Sequence, residues 1–197
     1  MGLFLSCGGA LWPGLSRFVG TGGIGRGRSA SPQWRSCVVA IGVLPMLPIP
    51  FREFFALLNA HGVDYLLVGG HALAVHGYPR YTGDLDVFVG VSPESVDRLV
   101  EVFAAFGFED FGLRKEDFLE EDQVIEIGRE PLKIQVLTGI SGVTFAECWP
   151  QRIVVEDDGL QIPVIGYEAL LRNKRGTNRP RDQVDADELE RRNKADS

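Results

Sequence analysis

The sequence predicts a small α+β domain with a mixed sheet and flanking helices, and three observations carry that expectation. Short apolar runs alternate with segments in which apolar residues recur every three to four positions. Two pairs of these runs are joined by turn-forming stretches, Gly128 to Pro131 and Glu156 to Gly159, which read as hairpins. One apolar run ends on the glycine pair Gly69-Gly70 and opens directly into a helical segment.

The elements follow in order. Phe51 to Ala60 places Phe54, Phe55, Leu57 and Leu58 at helical spacing, and His61-Gly62 can close that helix. Tyr65 to Val68 is a short strand ending at the glycines, and His71 to His76 reads as a short helix. Leu85 to Val89 is a second strand. Ser92-Pro93 supplies an N-cap followed by proline at the first helical position. The helix behind it carries Val96, Leu99, Val100 and Phe103 at i, i+3, i+4 and i+7, with Gly107 at its end. Gln123 to Ile127 and Leu132 to Leu137 form the first hairpin, and Ile153 to Val155 with Leu160 to Ile165 form the second. Tyr167 to Arg175 is helical and stops near Gly176. Beyond Pro180 the chain is highly charged, and Val184 with Leu189 offers only a weakly amphipathic helix. No internal repeat is present.

Charge divides the 197 residues unequally. Residues 1–50 contain no Asp or Glu and four arginines (Arg17, Arg26, Arg28 and Arg35), giving +4; since the whole chain carries −7, the remainder carries −11. Runs such as Gly20 to Arg28 have no helical or strand period and are costly to order. The expectation is an extension over 1–50, or upstream sequence read from a misplaced start codon, with a folded domain over 51–191 and a short tail over 192–197. An acid-free, Arg- and Ser-containing start also suits a transit peptide, whereas a signal sequence would need a basic region before its apolar run.

The net charge argues against avid nonspecific nucleic-acid binding while leaving room for a local basic groove. Cys7, Cys37 and Cys148 are too widely spaced for a disulfide framework or a zinc set, which favours a reducing cytoplasm. No stretch reaches the roughly 20 apolar residues of a spanning helix, because Pro45, Pro48 and Pro50 break the most apolar one. No membrane partner is expected.

Chemistry concentrates between Leu67 and Val87. A strand running into Gly69-Gly70 presents backbone N–H groups with no side chains in the way of an approaching phosphate. Asp84 and Asp86 lie two apart on a strand and project from one face while Leu85 and Val87 enter the core. Adjacent carboxylates repel unless a cation lies between them, and hard divalent ions such as Mg²⁺ take such oxygens together with substrate phosphates.

Val68-Gly69-Gly70, the run from His76 to Gly83, and Asp84-Leu85-Asp86-Val87 closely resemble the signature of the nucleotidyltransferase superfamily with the DNA polymerase beta-like fold. Within it the chain looks most like the small prokaryotic members that include abortive-infection and toxin–antitoxin proteins. The resemblance covers roughly residues 51–190 and extends to Leu137-Thr138-Gly139-Ile140-Ser141-Gly142-Val143 and Leu171-Arg172-Asn173-Lys174-Arg175. It implies an NTP such as ATP as substrate, Mg²⁺ (or Mn²⁺) held by Asp84 and Asp86, and triphosphate contacts from Gly69 and Gly70. It further implies phosphate contacts from Arg80, Thr82 and Lys174; each of these also has a plain structural reading as a loop residue, a turn hydrogen-bonder and a helix-end charge. The acceptor would be a hydroxyl of tRNA, a protein or a small molecule, and a partner toxin or antitoxin is a further expectation.

One departure stands out. Active members usually carry a third carboxylate on a later strand, and the matching position here is Gln135. An amide offers a carbonyl oxygen but neither negative charge nor a general base. Glu126, on the preceding strand, is positioned to substitute only if the two strands pair suitably. The competing expectation is therefore a catalytically impaired nucleotide-binding module or antitoxin, and a purely structural domain is a third. His71 and His76 lack the i, i+4 spacing of a zinc motif, so they are read as core or pocket-lining residues and His61 as a helix-end residue.

Overall fold

The computed structural model describes residues 3–5, 47–108, 114–120, 122–129 and 131–195. Seven strands form one mixed sheet: β1 (Leu3–Leu5), β2 (Tyr65–Leu67), β3 (Asp84–Val89), β4 (Val124–Arg129), β5 (Leu132–Leu137), β6 (Ile153–Asp157) and β7 (Leu160–Val164), in the order β1-β4-β5-β3-β2-β7-β6. The helices are α1 (Ile49–Ala60), α2 (Gly69–Val75), α3 (Pro93–Phe103), α4 (Glu116–Leu119), α5 (Phe145–Cys148), α6 (Tyr167–Gly176) and α7 (Pro180–Ala195). The α+β class and the mixed sheet expected from the sequence are both present. Apart from β1 and the four residues from Leu47 to Pro50, the expectations for residues 1–50 lie outside the described residues, as do Cys7 and Cys37.

Both hairpins form where the turn signals place them. β4 and β5 pair antiparallel, and so do β6 and β7. The second turn is a two-residue loop in which Asp158 and Gly159 both take positive φ, 51° and 80°; this backbone twist matches the flanking strands. At the sheet centre β3 runs parallel to β5 and antiparallel to β2.

The sheet's apolar face is read directly from alternation. Leu85 and Val87 on β3, Ile134 and Val136 on β5, and Ile125 and Ile127 on β4 are all fully buried. Phe54, Phe55 and Leu58 of α1 and Val96, Leu99 and Phe103 of α3 join the same core, with Phe54 edge-on to Phe103 at 6.1 Å between ring centroids. Ser92 caps α3 by accepting from the Ser95 N–H, as its sequence predicts. His61 caps the end of α1 and bonds Glu101 at 3.2 Å.

One helical expectation needs correction. α3 ends at Phe103, and the chain continues through a π-helical turn, Ala104–Phe108, in which Gly107 takes a φ of 97°. The weakly amphipathic helix expected beyond Pro180 forms as the 16-residue α7. Its apolar contact is Leu189, which is buried with Ala186, while Val184 stays exposed. The inner face of α7 is polar: Asp182 and Asp185 are buried as well. No helix among the described residues is long and apolar enough to cross a membrane.

Candidate metal and nucleotide site

The face of the central strands opposite the core is polar, and register alone assembles it. Parallel pairing of β3 with β5 sets Asp84 beside Lys133 and Asp86 beside Gln135. Antiparallel pairing of β5 with β4 then sets Glu126 beside Gln135. Asp86, Gln135 and Glu126 thus form a row across three adjacent strands, with Asp84 and Lys133 one step along.

Side-chain contacts lock this row. Gln135 Nε2 donates to Glu126 Oε1 at 2.5 Å, and Lys133 Nζ donates to the same oxygen at 3.1 Å. Lys133 Nζ also lies 3.5 Å from Asp84 Oδ2. Burial alone would lower the Lys133 pKa, but the bond to Glu126 and the charges of Asp84 and Glu126 outweigh it, and the pKa rises.

The glycine pair has a structural purpose that the sequence reading did not contain. Gly69 has a φ of 64°, and a Cβ there would overlap the Asp86 carboxylate. A Cβ on Gly70 would stand 2.8 Å from Thr82 Cβ and Oγ1. The missing side chains therefore first seat Asp86 at Gly69 and Thr82 at Gly70, and Asp86 also accepts a bond from the Gly70 N–H. Gly69→Ala is expected to lower stability by roughly 1–3 kcal/mol, from left-handed backbone strain and displacement of the carboxylate; chemical denaturation would measure it.

Asp86 is poorly neutralised. Burial, and next the negative charge of Asp84, push its carboxyl up to about 6, although the Lys174 charge, the Gly70 N–H and the Arg80 charge pull in the opposite direction. A part-buried carboxylate pair on one strand face, with Asp86 left short of compensating charge, fits a hard divalent cation.

A cleft of about 850 Å³ opens over this face. Gly69, Asp84, Asp86, Gln135 and Lys174 line it, and so does Glu126. Gly70, Arg80 and Thr82 are not among the residues that line it. Thr82 donates to the Asp84 carbonyl at 3.3 Å, the turn role open to it from the sequence. Arg80 makes a two-pronged bond to Asp185, with Nε and Nη2 each 2.9 Å from a carboxylate oxygen. Lys174 is buried and pairs with Asp182 at 2.5 Å and Asp185 at 3.3 Å. Thr177 adds a 2.8 Å bond to Asp182.

Arg80 and Lys174 thus belong to one buried ionic cluster that fixes α6 and α7 beside the cleft. Asp182 and Asp185 were missed by the sequence reading; their i, i+3 spacing, which puts them on one helix face, was the available signal. At the cleft mouth, in the α6–α7 connection, Asn178 and Arg179 are exposed, and the Arg179 charge helps hold the Asp182 carboxyl below its usual range.

Neither histidine lines this cleft. His71 is buried edge-on to Phe51, 5.9 Å between ring centroids, with neither ring nitrogen bonded among the described residues. His76 Nε2 donates to the Ile165 carbonyl at 2.8 Å. Burial lowers the pKa of both rings, so they are neutral packing groups at pH 7. A larger cleft, about 980 Å³, lies between the end of α1 and the β6–β7 hairpin. Its charged lining residues are Asp64 and Arg152, and the Arg152 guanidinium is stacked 3.8 Å over the Trp149 ring. It offers no carboxylate pair, so size does not identify the chemical site.

Among solved structures, the chain is similar to an antigenic nucleotidyltransferase-like protein from Paracoccidioides brasiliensis, with 16% identity, a TM-score of 0.44, and coverage of 70% of this chain and 71% of that one. It is also similar to a candidate nucleotidyltransferase from Thermotoga maritima, with 18% identity, a TM-score of 0.43, and coverage of 75% and 91% respectively. No family model and no curated protein matches the chain. The functional reading rests on the site itself.

Proposed function

We propose that this chain is a Mg²⁺-dependent nucleotidyltransferase that moves a nucleoside monophosphate from an NTP to a hydroxyl of RNA, protein or a small molecule. The observation that carries this reading is the Asp84/Asp86 pair facing an open cleft, with Asp86 seated against Gly69. In the reaction the acceptor oxygen bonds to the α-phosphorus, the α–β bridging bond breaks, and pyrophosphate leaves with that electron pair. Asp84 and Asp86 would hold Mg²⁺ (or Mn²⁺), which when bound neutralises charge developing on the phosphates.

The chain's own groups supply the rest. Gly69 forms the cleft wall against the triphosphate, and Arg179 with Asn178 provides donors at the mouth. Lys174, in the cleft lining, and Arg80 carry charges that lower the cost of ionising Asp86. The acceptor's proton needs a base, which Gln135 cannot be. Glu126 takes this role: both of its bonds fall on Oε1, leaving Oε2 to receive the proton. Glu126→Gln is expected to reduce transfer by about 10²–10⁴-fold while leaving nucleotide affinity intact.

A second reading has its own support. Gln135 stands where the resemblance leads one to expect a carboxylate, and Glu126 is tied to Lys133, as suits an impaired binding module or antitoxin. Purified protein incubated with each radiolabelled NTP, Mg²⁺, total tRNA and cell lysate separates the two. Label transfer that disappears in Asp84→Ala supports the enzyme. Nucleotide binding without transfer, with transfer gained in Gln135→Asp, supports the impaired module. A cytoplasmic toxin–antitoxin or phage-defence setting, with tRNA or a partner protein, is the context we propose from the sequence resemblance.

A further inference from the structure

The polar face of β3–β5–β4 carries a positive charge where its chemistry calls for a second metal ion. Two-metal phosphoryl-transfer sites set two divalent cations roughly 3.5–4 Å apart between shared carboxylates. Here the Lys133 ammonium lies between Asp84 and Glu126, 3.5 Å from Oδ2 of the first and 3.1 Å from Oε1 of the second. The neighbouring β5 position on this face is Gln135, whose amide donates to the same Glu126 oxygen and brings no charge. Among the described residues, no group of three or more His, Cys, Asp or Glu side chains is placed to share an ion.

We propose that Lys133 is a built-in cation that takes the place of a second divalent ion, so that the site binds one divalent ion per nucleotide. The inference rests on the nucleotidyltransferase reading. Three features act together. Lys133 is in register with Asp84, so its stem starts from the strand position beside that carboxylate. Glu126 and Gln135 fix the far end: Glu126 accepts from the ammonium, and Gln135 pins the accepting oxygen. A divalent ion brought to the same place is repelled by the ammonium and must break its contacts with Asp84 and Glu126. Asp84 and Asp86 remain for a single ion.

The count of bound ions tests this directly. Mn²⁺ is titrated into the protein saturated with each of the four α,β-methylene NTP analogues in turn, with free Mn²⁺ read by electron paramagnetic resonance. The expected count is one ion per bound nucleotide in the wild type, two in Lys133→Ala, and one again in Lys133→Arg, with circular dichroism confirming that the variants fold. Two ions in the wild type, or one in a folded Lys133→Ala, overturns the role of Lys133 while leaving the transferase reading standing. If Lys133→Ala does not fold, the wild-type count decides alone. Failure of all four analogues to bind overturns both.

Discussion

Asp86→Asn is expected to abolish function and, in the same protein, to stabilise the metal-free fold. On the proposed function, loss of a ligand to the divalent ion would remove several kcal/mol of stabilisation of developing charge, about three orders of magnitude in rate. The stability effect has the opposite sign. Burial and Asp84 raise the Asp86 carboxyl to about 6 from an ordinary value of 3.8. A carboxyl raised on folding contributes stability at low pH and loses it as pH rises through the folded value. The wild-type protein without metal should therefore lose about 1–3 kcal/mol between pH 4 and pH 7 from this group.

The asparagine variant has no such loss, because its amide stays neutral and its oxygen can still accept from the Gly70 N–H. Its melting temperature should exceed that of the wild type at pH 8, with the gap closing toward pH 4. Mg²⁺ should reverse the order by stabilising only the wild type, and more at pH 8 than at pH 5. Thermal melts across pH, with and without Mg²⁺, check both halves.

Asp185→Ala is expected to be the most destabilising single change near the site. Asp185 is almost fully buried and pairs with both Arg80 and Lys174. Its removal leaves two cations with reduced compensation in a dry setting, which typically costs about 3–5 kcal/mol. The pH signature runs opposite to that of Asp86. Burial would raise the Asp182 carboxyl, but the Lys174 bond, the Lys174 charge and the Thr177 hydroxyl more than offset this and hold it low. Stability from that contact is present above the ordinary carboxylate pKa and is lost as pH falls through the depressed value. Urea unfolding at pH 7 measures the cost of Asp185→Ala, and acidification of the wild type follows the loss of the Asp182 contact.

The sequence foretold those parts of the fold whose signals are local. Alternation marked Leu85 and Val87 as core and Asp84 and Asp86 as a shared face, and the Asp158-Gly159 turn announced its hairpin. Two other parts depend on pairing and packing. Glu126 and Gln135 lie nine residues apart in one hairpin, and the antiparallel register sets them side by side. α7 was legible only as a weak helix because its buried face carries Asp182 and Asp185 beside Ala186 and Leu189; Lys174 on α6 and Arg80 before β3 pair with those carboxylates. The same cluster explains why Arg80 and Lys174 read as phosphate contacts from their position in the chain, yet spend their donors on carboxylates in the fold. Gly69 and Gly70 were legible as a backbone feature, but the groups that fill their space, Asp86 at Gly69 and Thr82 at Gly70, lie further along the chain, and β2–β3 pairing brings Asp86 there.

The central claim is that Asp84 and Asp86 form a divalent-ion site that holds a nucleotide triphosphate. Calorimetric titration of each NTP into the protein, with and without Mg²⁺, tests it most directly. At least one NTP should bind with Mg²⁺ present and lose its affinity on chelation or in Asp84→Ala. Failure of every NTP to bind, or binding indifferent to both Mg²⁺ and Asp84, would contradict it.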